Sequence, residues 1–133
     1  MTGAMNALLA AIHQRLSGDP AVTALVGTDG IRDRLLPRPQ LPCILFGTTE
    51  TRDYSTASEP GEEHFVTLEI WSDGEGRRPA HAVASAVKAT LHDAALALEG
   101  ASLVSLMMIG SRTRRDTKTK LTLAELRFRA VTE

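Results

Sequence analysis

Residues 64–98 read HFVTLEIW (His64–Trp71), SDGEGRRP (Ser72–Pro79) and AHAVASAVKATLHDAALAL (Ala80–Leu98). The first piece alternates, with His64, Val66, Leu68 and Ile70 on one side and Phe65, Thr67, Glu69 and Trp71 on the other. That period of two is a strand whose first set faces the core. From Pro79 onward, Ala82, Val83, Ala86, Val87, Thr90, Leu91, Ala94 and Leu98 form a wide apolar stripe with a period near 3.6. Pro79 suits the first turn of a helix, and about 20 residues at 1.5 Å each predict a rod of roughly 30 Å. One strand, a turn and one helix therefore make a scaffold, and the rest of the chain reads as packing onto it.

Upstream, Met5, Leu8, Leu9, Ile12 and Leu16 recur at steps of three and four, predicting an amphipathic helix over Met5–Leu16. Gly18 ends it, Asp19 and Pro20 start a short second turn running through Leu25, and Gly27 to Gly30 closes that turn. Ile31 to Pro42 holds Pro37, Pro39 and Pro42, which predicts an extended path. Cys43 to Gly47 (CILFG) is a short apolar run that reads as a buried strand. Thr48 to Glu63 (TTETRDYSTASEPGEE) then has one aromatic and no aliphatic larger than Ala, so it reads as a long mobile loop or a projecting hairpin.

Downstream, Gly100 is a helix stop, and Ser102–Ile109 and Thr119–Val131 read as two more strands joined by Gly110–Lys118 (GSRTRRDTK). Ala124, Leu126, Phe128 and Ala130 point one way in the last strand while Glu125, Arg127 and Arg129 point the other. Leu121 and Leu123 fall on the wrong parity, which predicts either a bulge near Leu123 or a partner facing them. The expectation is a single α+β domain over residues 1–133, with a four-stranded, mainly antiparallel sheet and helices packed on one face.

The chemistry in this pattern points away from catalysis. His13, His64, His81 and His92 are widely spaced, and His81 and His92 stand three turns apart on one predicted helix, too far to share an ion. Cys43 opens an apolar strand, where a small hydrophobe is usual. The SDGEG turn resembles a glycine loop but lacks a phosphate-binding pattern, and its two acids would repel phosphate. The acid pairs Glu62/Glu63 and Asp73/Glu75 have no apolar wall nearby to raise a pKa. No catalytic residue, metal or cofactor is expected.

With 15 Lys and Arg against 16 Asp and Glu, the formal charge is −1, so there is no bulk attraction to nucleic acid or anionic membrane. The start, MTGAMNALLAAIHQRL, lacks the basic flank and unbroken apolar core of a signal peptide, and no run reaches the roughly 18 apolar residues of a membrane span. Two local patches stand out. Arg112, Arg114, Arg115, Lys118 and Lys120 concentrate positive charge at the last connection, which suits nucleic acid or the rim of another subunit, with Arg127 and Arg129 as an extension. The other patch is the polar arm, with Arg52, Asp53, Tyr54, Glu59, Glu62 and Glu63.

The order of features, from LLAAIHQRLSGDPAVTALVG through GIRDRLLPRPQLPCILFG and VTLEIWSDGEGRRPAHAVASAVKATL to LALEGASLVSLMM and RTRRDTKTKLTLAELRFRA, resembles the tail-completion or tail-terminator proteins of tailed bacteriophages and gene transfer agents. The resemblance covers nearly the whole chain. It implies a non-enzymatic assembly protein that forms a homo-oligomeric ring, commonly of six subunits, at the head-proximal end of a tail tube. Such a ring would end tube polymerisation and meet the head connector, placing the protein in the bacterial cytoplasm during assembly and then at the tail-neck joint of the particle. Its implied partners are the tail tube protein, the connector protein and, in transit, packaged DNA, with no membrane contact. On that resemblance Arg52, Asp53, Tyr54, Glu59, Glu62 and Glu63 are candidate subunit or tube contacts, and Arg112, Arg114, Arg115, Lys118 and Lys120 are candidate DNA-channel or rim contacts. Two other readings of the chain are a head-closure or neck protein and a small nucleic-acid-binding α+β domain.

Overall fold

The computed structural model describes residues 3–34, 37, 39–73 and 76–133. Gly74 and Glu75 of the SDGEG turn, Leu35, Leu36 and Arg38 of the proline-bearing segment, and Met1 and Thr2 lie outside the described residues.

The alternation at His64 becomes the middle of a strand, β3 (Glu62–Ser72), in which every second residue from His64 to Ser72 is buried. It pairs antiparallel on one side with β2 (Cys43–Asp53) and on the other with β5 (Thr122–Thr132), whose far edge carries β4 (Leu103–Arg115). A fifth strand, β1 (Ile31–Arg32), lies parallel to β2 through Ile31↔Ile44 and Arg32↔Leu45. The order is β1-β2-β3-β5-β4. The sheet thus has five strands, one more than the four expected, and β1 makes it mixed, while its other three pairings are antiparallel as expected. The added strand follows from burial: Ile31 sits in the core, and its neighbour Gly30 accepts a hydrogen bond from Ile44 N at 2.7 Å, which lays two extended residues along the β2 edge.

Two strands run longer than their apolar cores predict. β2 continues past Gly47 because Thr49 to Asp53 find backbone partners from Val66 to Glu62, and β4 continues past Ile109 because Gly110 to Arg115 pair with Arg127 to Thr122. Ladder hydrogen bonds are made by the main chain, so polar side chains do not end a strand that has a neighbour. Bulges fall between Phe46 and Thr49 in β2 and at two places in β4. Of the two readings for Leu121 and Leu123, the bulge is absent, since β5 pairs with β3 without a shift from Thr122 to Thr132, and Leu123 lies beside Trp71 and Arg114 on the face away from the helices, where it is buried.

The three helices among the described residues cover one face of the sheet. α1 (Ala4–Ser17) and α2 (Pro20–Val26) bury Leu8, Ile12, Leu16, Val22 and Val26. α3 (Arg78–Leu91) buries Ala80, Val83, Val87, Thr90 and Leu91. Against them stand Ile44, Val66, Leu68, Ile70, Leu106, Ala124, Leu126 and Phe128 from the strands. Each fully buried Leu, Ile, Val or Phe contributes about 1.5–3 kcal/mol by leaving water. Asp19 caps α2 by accepting from Ala21 N at 2.8 Å, and Arg15 Nε donates to Thr90 Oγ1 at 3.1 Å, tying α1 to α3. Thr90, as the leading cause, holds the Asp19 carboxyl below its usual value.

The long helix is shorter than its stripe predicts, ending at Leu91 instead of Leu98. His92 is extended and Asp93 has a φ of 60°, and both are bound to β4: Asp93 N donates to Leu106 O at 2.8 Å and Met108 N donates to His92 Nδ1 at 3.0 Å. Those two bonds replace the next helical turn. Leu96 and Leu98 still pack on the core, as part of the returning chain.

Candidate assembly surface

Cross-strand partners in an antiparallel sheet share a face, so the residues opposite the core set can be read from the register. One row on the face away from the helices is Glu50, Phe65, Arg129 and Met107; others are Leu45, Glu69, Glu125 and Arg112, and Cys43, Trp71, Leu123 and Arg114. None of the three described helices covers this face.

Its charges are organised in two groups. Near the β2–β3 hairpin, Phe65 lies between two guanidinium groups, Arg52 at 5.1 Å and Arg127 at 4.8 Å from its ring centroid. Arg129 stands 5.4 Å from the Tyr54 ring centroid and 2.5 Å from Glu63 Oε2, while Arg52 is 3.0 Å from Glu50 Oε2. The largely covered Glu63 carboxylate, as the leading cause, raises the Arg129 pKa, so this guanidinium stays charged at any working pH. At the other end Arg112 and Arg114 share Glu125 at 3.1 and 3.7 Å, and Arg114 also reaches Asp116 at 3.5 Å. Trp71 Nε1 donates to Glu69 Oε1 at 3.1 Å at this same end, on the rows of Arg114 and Arg112.

The arm residues are therefore divided. Arg52, Tyr54 and Glu63 come together on the open face with Phe65, Arg127 and Arg129, whereas Asp53 and Glu62 form a cross-strand pair on the helix side and Glu59 sits in the turn. That turn is closed by Tyr54 N to Gly61 O at 2.9 Å and Thr56 N to Glu59 O at 2.8 Å, and Ser55 Oγ donates to Asp53 Oδ1 at 2.7 Å. The basic residues are divided too. Arg112 and Arg114 belong to the open face of β4, Arg115 pairs with Thr122 on the helix side, and Lys118 and Lys120 occupy the β4–β5 turn. Among the described residues Arg115, Lys118 and Lys120 make no ion pair.

Phe65 as the seat of two arginines and Glu125 as the partner of two more were missed by the sequence reading. Their outward parity is visible in the sequence, but the β3–β5 and β5–β4 registers that bring the partners together are not. The histidines take structural bonds: His13 Nε2 lies 3.2 Å from Ile31 O, His81 Nε2 3.0 Å from Thr113 Oγ1, and His64 between Thr51 and Thr132. Among the described residues no three His, Cys, Asp or Glu side chains are grouped to hold a metal ion. Cys43 is buried, and that burial pushes its thiol pKa up, away from a reactive thiolate.

The arrangement offers charge, aromatic rings covered by arginines, and strand edges, all of which suit contact with another protein. Comparison with known families finds that the model of the tail completion protein gp17 matches residues 10–133. Among solved structures, the chain is similar to one in the virion of a native gene transfer agent (GTA) particle, with a TM-score of 0.90 and 30% identity, covering 100% of this chain and 99% of that one. The curated protein sequences give no match.

Proposed function

Because this chain belongs to the tail completion protein family, we propose that it assembles as a homo-oligomeric ring of six copies at the head-proximal end of a tail tube, ends tube growth there, and joins the tail to the head connector. The observation that carries this reading is the end-to-end likeness to a chain of a gene transfer agent virion, at 30% identity over the whole length. The fold supports it physically. A ring needs a different patch on each side of the subunit, and the sheet has unlike edges and a charged face that none of the described helices covers. Arg52, Tyr54 and Glu63, with Arg127 and Arg129, supply a polar and aromatic surface for a partner protein. The basic residues are assigned to contacts between proteins in preference to DNA, because Glu125 takes up Arg112 and Arg114 and breaks the cationic stripe.

The test combines the purified chain with polymerising tail tube protein and follows tube length by electron microscopy and the mass of the free chain by native mass spectrometry. Tubes that stop growing with a discrete ring on one end are expected. Unchanged tube growth would overturn the reading, and binding to filled heads in place of tubes would identify a head-closure protein.

A further inference from the structure

On the sheet face away from the described helices, one row is low. Thr67 pairs with Arg127 and Arg127 with Gly110, so the β3 end of this row carries a small side chain and the β4 end carries none. The row on one side holds Phe65, Arg129 and Met107, and the row on the other holds Glu69, Glu125 and Arg112. Larger side chains flanking a low row leave a cleft of about 400 Å³, whose walls include Thr67, Ile109, Gly110, Arg112, Glu125 and Arg127. The bulge between Met108 and Gly110 adds Ile109, 47% exposed, to the β4 wall. Bulges of this kind re-aim side chains beside functional sites. An added Cβ at Gly110 would meet nothing within 4 Å, so the space above the glycine is open.

Arg127 is the unbalanced charge of this cleft. The carboxylates around it on the same face are already engaged: Glu50 with Arg52, Glu63 with Arg129, Glu125 with Arg112 and Arg114, and Glu69 with Trp71 Nε1. Arg127 has no ion pair among the described residues, and its guanidinium lies 4.8 Å from the Phe65 ring centroid. The ring holds the group in place while its N–H donors lack a carboxylate. An arginine placed in advance loses less side-chain freedom when an anion arrives, and arginines packed on aromatic rings are enriched among the residues that dominate interfaces.

Charge and shape fit the cleft to a single carboxylate. A nucleic-acid strand carries a charge about every 3.4 Å and would set further phosphates against Glu125 and Glu69. One Asp or Glu side chain would instead place its carboxylate on Arg127 and its methylenes against Ile109. This chain's own hairpin turn is not the donor, because Glu59 lines a separate cleft with Tyr54, Val104 and Val131. Each copy in a ring offers one such cleft, which suits a partner presented in as many identical copies, as subunits at the end of a tube are.

We propose that the Arg127 cleft takes one Asp or Glu side chain of the tail tube protein, with Arg127 as its ion-pair partner and Ile109 as its apolar wall. This rests on the ring reading above and names the point on each copy where the tube is gripped.

The test compares full-length wild type, Arg127→Gln, Arg127→Lys and Gly110→Trp, each verified as folded by circular dichroism. Native mass spectrometry reads ring mass, and electron microscopy reads the length of tubes grown with each. The concentration that stops half of the tubes should rise at least about tenfold for Arg127→Gln, which removes the cation, and for Gly110→Trp, which fills the cleft. Arg127→Lys should fall between, since an ammonium keeps the charge but not the planar fork. Ring mass should stay that of wild type in all three, and Gly110→Trp should melt within a few degrees of wild type because its Cβ has open space. Should Gly110→Trp not fold, Gly110→Leu takes its place with the same expectation. Folded variants that stop tubes at the wild-type concentration would overturn the assignment and leave the ring standing. Loss of the ring in these variants would make the cleft a contact between copies, and loss of head joining or DNA retention with tube capping intact would give it to the connector or to phosphate, each overturning the tube assignment. A wild-type chain that neither forms a ring nor stops tubes would end the ring reading and this inference with it.

Discussion

His64 shows how one residue couples fold to solution behaviour. Its parity put it on the core face, and a fully buried imidazole there requires partners for both nitrogens. Thr51 Oγ1 lies 2.9 Å from Nδ1 and Thr132 Oγ1 lies 3.0 Å from Nε2, one hydroxyl from each flanking strand. Burial pushes the ring below its ordinary value of 6.5, with Glu62 at 4.0 Å opposing the shift. The folded chain then binds fewer protons than the unfolded chain as pH falls through 6.5, so this part of the stability is complete above pH 6.5 and is lost on acidification. The melting temperature is expected to drop between pH 7.5 and pH 5 in wild type, and His64→Gln should flatten that dependence while lowering the pH 7.5 value. A variant with the wild-type slope would show that the sensitivity resides elsewhere.

At the scale of elements, the turn between α2 and β1 is the most constrained join. Gly27 takes a φ of 81°, which favours glycine, and Gly30 is packed so tightly that an added Cβ would lie 2.0 Å from Val26 O. That obstacle is backbone, so it cannot swing aside. Gly30→Ala should therefore cost about 3 kcal/mol, the upper part of the range for overpacking, read as a shift in urea midpoint. Gly47→Ala makes a useful contrast, because its nearest obstacle is the flexible end of Glu69 at 2.9 Å, and a loss of under about 1 kcal/mol is expected. Equal losses at both sites would contradict this reading of the turn. Much of the element list was legible: the alternation of β3 and β5 and the apolar faces of α1 and α3 follow from side-chain period alone. The ends were not. α3 stops at Leu91 because β4 offers hydrogen bonds to His92 and Asp93, and β2 and β4 run on through polar residues because neighbouring backbones are present.

For the whole molecule the near-zero net charge conceals a dipolar layout, acidic at one corner of the sheet and basic at the diagonal one. The apolar core, and not these charges, holds the monomer. Raising ionic strength from about 0.05 M to about 0.5 M shortens the screening length well below 10 Å, so the melting temperature of the monomer should move by only a few degrees. A shift of about ten degrees or more would mean that the surface ion pairs carry much of its stability.

The sequence by itself determined which side chains face the core, the α+β class, the helical coverage of one face and the polarity of the two hairpins. It did so because side-chain period encodes the face of an element locally. Only the tertiary structure decided that β5 inserts between β3 and β4, that Ile31 and Arg32 add a parallel strand, that Phe65 receives Arg52 and Arg127, and that Glu125 holds Arg112 and Arg114. Those outcomes depend on which strands become neighbours and in what register. The main-chain hydrogen bonds that join strands are the same for nearly every residue type, so a single strand's sequence says which way its side chains point without naming the strand beside it.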